Sequence, residues 1–266
     1  MRQVGTMERD STIIHFDRFN VERSVYPPGL YMAPHRDKLS RISIILDGEL
    51  SESTQDRSVV ASRNYVVIKP NQVVHENRFG SGPLRLLSIS FNDNDLFGER
   101  FKKWQWIHHP AIHVMAVRLW AEIQRVQNEK TLTGVLDQFF ITLSGIRQQG
   151  DEASVVWPAA VKQALTSNLD EPQSIRALSD QLYLHRVSMA RGFRKIYGLS
   201  PVQFRNYTRV MTALEELATS DKSLAAIAYE TGFADQSHLT RTLRSLAGCT
   251  PAEFRRLLGS LGRNDK

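Results

Sequence analysis

Two short stretches of this 266-residue chain carry side chains able to hydrogen-bond base edges and phosphates. One presents Arg186, Val187, Ala190, Arg191, Arg194 and Lys195, and the other Gln236, Ser237, Thr240, Arg241 and Arg244, at spacings that gather each set on one helix face. Arg can bond guanine bidentately and Gln adenine, while Lys, Ser and Thr hold phosphates. Arg191 and Arg241 are the expected base readers, with Arg194 and Arg244 expected on phosphates. A charged outer face on one isolated helix is more often merely solvated. The weight of these residues therefore rests on their occurring twice.

The elements that must position them come from a repeat. Residues 174–201 read SIRALSDQLYLHRVSMARGFRKIYGLSP and residues 223–251 read SLAAIAYETGFADQSHLTRTLRSLAGCTP. The copies share Ser174 with Ser223, Arg191 with Arg241, Arg194 with Arg244, and a Gly-x-x-Pro exit at Gly198/Pro201 and Gly248/Pro251. In each, apolar residues at helical spacing follow a capping Ser. A break comes next, at Tyr183 to His185 or at Gly232 to Asp235, where Gly can take a positive φ and Asp can cap the following helix. Met189, Phe193 and Ile196, or Leu239, Leu243 and Leu246, then form a stripe to bury. Each copy is a helix-turn-helix.

The stretch from about Val155 to Leu258 resembles the DNA-binding domain of the AraC/XylS family of bacterial transcription regulators, above all in IAYETGFADQSHLTRTLRSLAGCTPAEFRR, residues 227–256. The resemblance implies two helix-turn-helix units joined by one long helix. Two residues depart from the pattern. Leu243 stands where the family prefers Phe, and Gly192 interrupts the first recognition helix at about 1 kcal/mol relative to Ala, which predicts a looser first unit. The joining helix is expected from Pro201 to Thr219, with Tyr207, Val210, Met211, Leu214 and Leu217 buried and Arg205 and Arg209 free for phosphate or acidic partners. About seventeen residues at 1.5 Å each span roughly 25 Å, enough to set two recognition helices near one DNA turn apart.

A second constellation, His35, Asp37, Arg41 and His75, lies among short β-branched and aromatic runs between Ile13 and Phe91. Asp47-Gly48 after alternating Ile42, Ile44 and Leu46 predicts a hairpin. The segment resembles a cupin barrel through Gly29, His35, Gly48, Pro70 and His75, with Asp37 and Arg41 where metal-binding cupins have His and Glu. Arg41 cannot donate a lone pair and repels a cation, so no metal and no cofactor is expected. In an unbroken strand His35, Asp37, Arg41 and Ser43 share a face, where Arg41 could clamp a carboxylate or a sugar hydroxyl. A structural Arg41–Asp37 pair is the equal alternative. No nucleophile, base and orienting group fall together, so no catalytic residue is assigned. His108, His109 and His113 are read as a partly exposed loop and helix start.

Between these halves, Ile112, Met115, Leu119, Ile123 and Val126 form one helical stripe. Leu132, Leu136, Phe139, Leu143 and Ile146 form another, at the spacing of a coiled-coil seam. Packing on the barrel and dimerisation both fit, and helices at this position pair across a two-fold axis in regulators of the resembled family. Residues 148–154, QQGDEAS, read as a linker, and Trp157-Pro158 opens the next helix.

The organisation expected is thus α+β and multidomain. Residues 1–92 form a cupin-like β-barrel regulatory domain, 93–147 a helical dimerisation segment, 148–154 the linker and 155–260 the DNA-binding domain. A net charge of +6 suits a polyanionic partner. A single cysteine, Cys249, excludes an internal disulfide and reads as a packed side chain. The polar first fifteen residues and the lack of a long apolar run point to the cytoplasm and away from a membrane. A sequence-specific transcription regulator is expected, with double-stranded DNA, a second copy, a small effector and, for an activator, RNA polymerase as partners. A cupin-type metal-dependent enzyme carrying a DNA-binding tail is the alternative.

Overall fold

The computed structural model describes residues 10–17, 19–63, 65–91, 102–125, 129–145, 157–167, 169–170 and 174–260. The chain divides into two compact units, residues 1–109 and 110–266. Residues 148–154, Ile146 and Val126 lie outside the described residues.

The first unit is built of two antiparallel sheets. One holds β1 (Asp10–His15), β2 (Phe19–Tyr26), β9 (Leu84–Phe91), β4 (Arg41–Asp47), β7 (Tyr65–Lys69) and β10 (Gln105–His108), in that order. The other holds β3 (Tyr31–Arg36), β8 (Val74–Phe79), β5 (Glu49–Thr54) and β6 (Ser58–Ser62). Ile45, Leu84 and Leu86 of the larger sheet meet Leu50, Ala61 and Phe79 of the smaller, and this shared core holds the layers together. β4 lies between β7 and β9 and is buried from Ile42 to Leu46, which explains its nearly unbroken apolar run.

The Asp47-Gly48 pair does not make a hairpin. β4 pairs with β7 and β9 while β5 pairs with β6 and β8, so the chain changes sheets here. Gly48 has φ 89°, and a Cβ on it would stand 2.5 Å from the Pro83 carbonyl oxygen. Asp47 accepts from Arg63 and, at 2.7 Å, from Arg85. The dipeptide turns a tight corner under an ionic clasp, and the same residue types serve that purpose as serve a two-residue turn.

The second unit is helical: α1 (Pro110–Arg125), α2 (Glu129–Gly145), α3 (Trp157–Thr166), α4 (Ile175–Gln181), α5 (Arg186–Tyr197), α6 (Pro201–Thr219), α7 (Leu224–Glu230), α8 (Gln236–Ala247) and α9 (Pro251–Ser260). α1 packs on α2 and also on α6, α8 and α9, and it is buried along most of its length. His109 and His113 are buried rather than partly exposed, and His108 alone of the three is exposed. The α2 seam is covered within the single chain: Leu132, Leu136, Phe139 and Leu143 are 0–3% exposed. Its apolar side chains pack within the chain, with α1 against α2. No described helix is long and apolar enough to cross a membrane.

α6 starts on a capping box. The Ser200 hydroxyl accepts from the Gln203 N–H, and the Gln203 side chain accepts from the Ser200 N–H at 3.0 Å. Phe204, Val210, Ala213, Leu214 and Leu217 are buried along it, with Tyr207 and Met211 half-buried. Arg205 and Arg209 are also half-buried, and burial lowers both guanidinium pKa values. Arg209 donates from Nη2 to the Leu169 carbonyl at 3.3 Å, so it braces a loop instead of standing free.

Candidate nucleic-acid interface and a second polar cluster

The two reading heads are α4 with α5 and α7 with α8. Ser174 and Ser223 accept the N–H groups of Ala177 and Ala226 at 3.0 and 3.2 Å, satisfying donors that a helix start leaves unpaired. The turns match in conformation though not in residue: Tyr183 has φ 52° where Gly232 has φ 76°. Tyr183 accepts a left-handed backbone that costs an L side chain about 1–2 kcal/mol. At Gly232 no alternative exists, because a Cβ would lie 1.8 Å from the Leu169 carbonyl oxygen.

The recognition helices are closed at both ends. His185 Nδ1 accepts the Val187 N–H at 3.3 Å and Asp235 accepts the His238 N–H at 2.6 Å. Gly198 (φ 72°) and Gly248 (φ 71°) end the two helices in the left-handed conformation. Met189, Phe193 and Tyr197 of α5 and Leu239, Leu243 and Ala247 of α8 are buried, with Ile196 and Leu246 at the margin.

That leaves the expected polar faces outward. Arg186, Val187, Arg191, Arg194, Lys195, Gln236, Ser237, Arg241 and Arg244 are exposed, and Ala190 and Thr240 are half-exposed. Among the described residues no ion pair neutralises the five arginines. Cationic forks and an amide on two exposed helix faces can bond phosphates and base edges.

Gly192 has a packing reason. A Cβ there would come within 2.7 and 2.8 Å of the Trp157 ring, so its hydrogen admits the indole of α3 against α5. The close approach of α3 to α5 thus explains a residue that helix propensity alone disfavours. Cys249, between α8 and α9, is fully buried, and desolvation pushes its thiol up to about 12.

In the β-rich unit, His35, Asp37 and His75 do come together. Each offers one ligand atom, all within 4.8 Å of one another, and the imidazole centroids are 4.2 Å apart. The geometry is not that of one unbroken strand. β3 and β4 belong to different sheets, and β3 carries a bulge between Met32 and His35. Each imidazole spends Nδ1 on a backbone carbonyl, His35 on Ala33 at 2.8 Å and His75 on Val73 at 3.1 Å. The Nε2 lone pairs are thereby left available, and His75 Nε2 stands 3.9 Å from Asp37. Burial is the largest influence on His75, lowering its pKa; the Val73 carbonyl and Asp37 oppose this, while Lys69 and His35 reinforce it.

Arg41 makes no ion pair with Asp37 among the described residues. It lies opposite Lys69 and Ser90 across the sheet, with its Nε buried and unpartnered. Sequence reasoning missed the groups beside it. Lys69 forms a buried ion pair with Glu52, the Trp104 ring lies 5.4 Å from Lys69 Nζ and 4.5 Å from the His75 ring, and Trp106 Nε1 donates to Glu52 at 3.3 Å. A Lys closing the apolar run YVVIK before Pro70 was the available signal. The set combines two fixed imidazoles and a carboxylate with an indole wall and the Lys69–Glu52 pair, and Arg41 lies opposite Lys69 across the sheet. It can hold a three-ligand cation on one side or an anion on the other.

Residues 178–257 match the family model described as a helix-turn-helix domain. Among curated proteins, the uncharacterised helix-turn-helix transcriptional regulator YisR of Bacillus subtilis is 26% identical over 104 residues, 39% of this chain and 36% of that protein. The transcriptional regulator ExsA of Pseudomonas aeruginosa is 40% identical over 63 residues, 24% of this chain and 23% of that protein. The chain thus spans well under half the length of these relatives. The structure of ToxT from Vibrio cholerae is 13% identical, with a TM-score of 0.40 over 90% of this chain and 98% of that chain. The duplicated, capped units with outward Arg and Gln, and the match across them, make the C-terminal part of this chain a helix-turn-helix domain.

Proposed function

We propose that the whole chain is a sequence-specific, DNA-binding transcription regulator of the AraC family. It works in the cytoplasm as a homodimer and not as an enzyme, and its β-rich unit senses a small effector. The observation that carries this reading is the duplicated exposed face, Arg186, Arg191 and Arg194 on α5 and Gln236, Arg241 and Arg244 on α8, backed by packed apolar stripes. α6, nineteen residues long, spans about 28 Å at 1.5 Å per residue, which suits two successive major-groove segments on one side of a duplex. RNA polymerase is the further partner if the protein activates. The effector meets His35, Asp37, Arg41 and His75, and Arg41 with Lys69 favours a carboxylate or a hydroxyl-rich molecule.

A second reading of the effector, a divalent transition metal, is favoured by one observation, the two Nε2 lone pairs that converge with Asp37. Selection of duplexes from a randomised pool by the full chain tests the regulator. A recovered consensus should bind at least a hundredfold better than scrambled DNA at physiological salt, the lower range of specific recognition being about 10³. Recovery of no consensus refutes it. Repeating the binding with added Zn²⁺ or with a pool of sugar acids separates the two effectors, since only one should change the affinity.

A further inference from the structure

The α1–α2 hairpin reaches the same structural position in both reading heads. At the second, Arg125 of α1 donates from Nη1 to the Gly248 carbonyl, at the glycine that ends α8, and pairs through Nη2 with Glu253 of α9 at 2.9 Å. Arg118, two helical turns earlier, lies so close that a Cβ on Gly248 would stand 3.1 Å from its Cγ, and the Trp120 ring meets Phe254 edge-on at 6.4 Å. At the first head, the end of α2 approaches the repeat-related glycine: a Cβ on Gly145 would be 3.9 Å from Gly198 Cα.

A helix C-terminus carries unpaired carbonyls and partial negative charge, so a guanidinium that donates there pins both the position and the direction of the helix axis. Glu253 extends the pin. It accepts from the Thr250 N–H at 2.7 Å and the Thr250 hydroxyl at 2.9 Å, closing the start of α9. One Arg thus ties α1 to the end of α8 and the beginning of α9 together.

α6 already joins the heads: it packs on α8 and α9, and Lys222 pairs with Glu216 of α6 and Glu230 of α7. The α1–α2 hairpin adds a second tie, made by groups outside α6 and its connections. We infer that the α1–α2 hairpin is a brace that sets the spacing and relative rotation at which the two recognition helices meet DNA, and that Arg125 is its positioning residue at the second head. This rests on the DNA-reading function proposed above.

The test uses the full chain and duplexes selected by it from a randomised pool, then remade with one base pair inserted or removed between the two half-sites. One base pair changes the separation by about 3.4 Å and the rotation by roughly 35°. The wild-type chain should lose about tenfold in affinity, the order of one mismatched base pair. Arg125→Ala should bind the original duplex within about threefold of wild type yet discriminate the altered spacings by less than about threefold. Arg125→Lys should fall between, because an ammonium can reach the carbonyl or the carboxylate but lacks the planar fork that bridges both.

Thermal unfolding of each variant separates misfolding from loss of the brace, and Arg125→Lys, which keeps the charge, serves if Arg125→Ala fails to fold. A folded Arg125→Ala that retains wild-type spacing discrimination overturns the inference. Equal loss on every duplex, including one carrying the second half-site alone, does so too, since that is a general destabilisation. Wild-type indifference to spacing overturns it before any substitution. If the wild-type chain selects no sequence, it is the DNA-reading function that fails, and the brace falls with it.

Discussion

Replacing Gly192 by Ala sets local propensity against packing. In an open helix the change should stabilise by about 1 kcal/mol, because Gly loses more backbone freedom on folding. Here the new methyl would meet two carbons of the Trp157 ring at 2.7 and 2.8 Å, well inside contact distance. Trp157 packs against the cluster formed by Val161, Leu165, Phe193 and Tyr197, so the indole yields only by disturbing that core. Overpacking of this kind costs about 1–3 kcal/mol, which outweighs the propensity gain for a net loss of roughly 1 kcal/mol. Helical units of this size should then melt about 2–4 °C lower. The assay is thermal and denaturant unfolding of Gly192→Ala, Trp157→Ala and the double variant. In the Trp157→Ala background the Ala should stabilise, and this reversal of sign is the signature of the contact. A higher melting temperature for Gly192→Ala in the wild-type background would refute the reasoning.

Two further outcomes follow from the same geometry. Arg191→Ala and Arg241→Ala should each cost about 1–3 kcal/mol at a matched site and flatten sequence preference, whereas Arg194→Ala and Arg244→Ala should weaken all duplexes alike and reduce the salt slope by about one; anisotropy titrations at two salt concentrations distinguish them. His75, whose pKa is lowered in the folded chain chiefly by burial, makes the β-rich unit acid-sensitive: unfolding frees an imidazole that takes up a proton below its ordinary 6.5, so stability is full above that value and declines as pH falls through it. Thermal unfolding between pH 5 and 7.5 should show this decline in the wild type and a flatter profile in His75→Gln.

The helical half was legible because its signals are local and doubled. Ser174 and Ser223, Asp235, and the exit glycines specify caps within a few residues of themselves, and the helix boundaries fall where those caps stand. What escaped depends on partners far along the chain. Gly192 reads as a flaw until Trp157 is placed beside it, and Asp47-Gly48 reads as a hairpin until Pro83 and Arg85 close the corner. The α2 heptad is compatible with either a partner chain or the chain's own packing, and its spacing alone does not reveal that Leu132, Leu136, Phe139 and Leu143 are buried within the single chain. The polar cluster was half seen. Period-two parity cannot carry across a bulge and a change of sheet, so the strand argument that grouped His35, Asp37 and Arg41 does not describe their geometry, and Lys69 with Glu52 went unnoticed.

Cys249, the chain's single thiol, sits fully buried in the turn that Arg125 and Glu253 hold shut. Burial pushes its pKa up to about 12, which keeps it from the reactive thiolate while the turn is closed. Alkylating reagents therefore modify it only as fast as the α8–α9 turn opens and returns the thiol to water. The residue is a built-in clock for the second head, and its labelling rate reports how often the α8–α9 turn gives its buried thiol up to solvent.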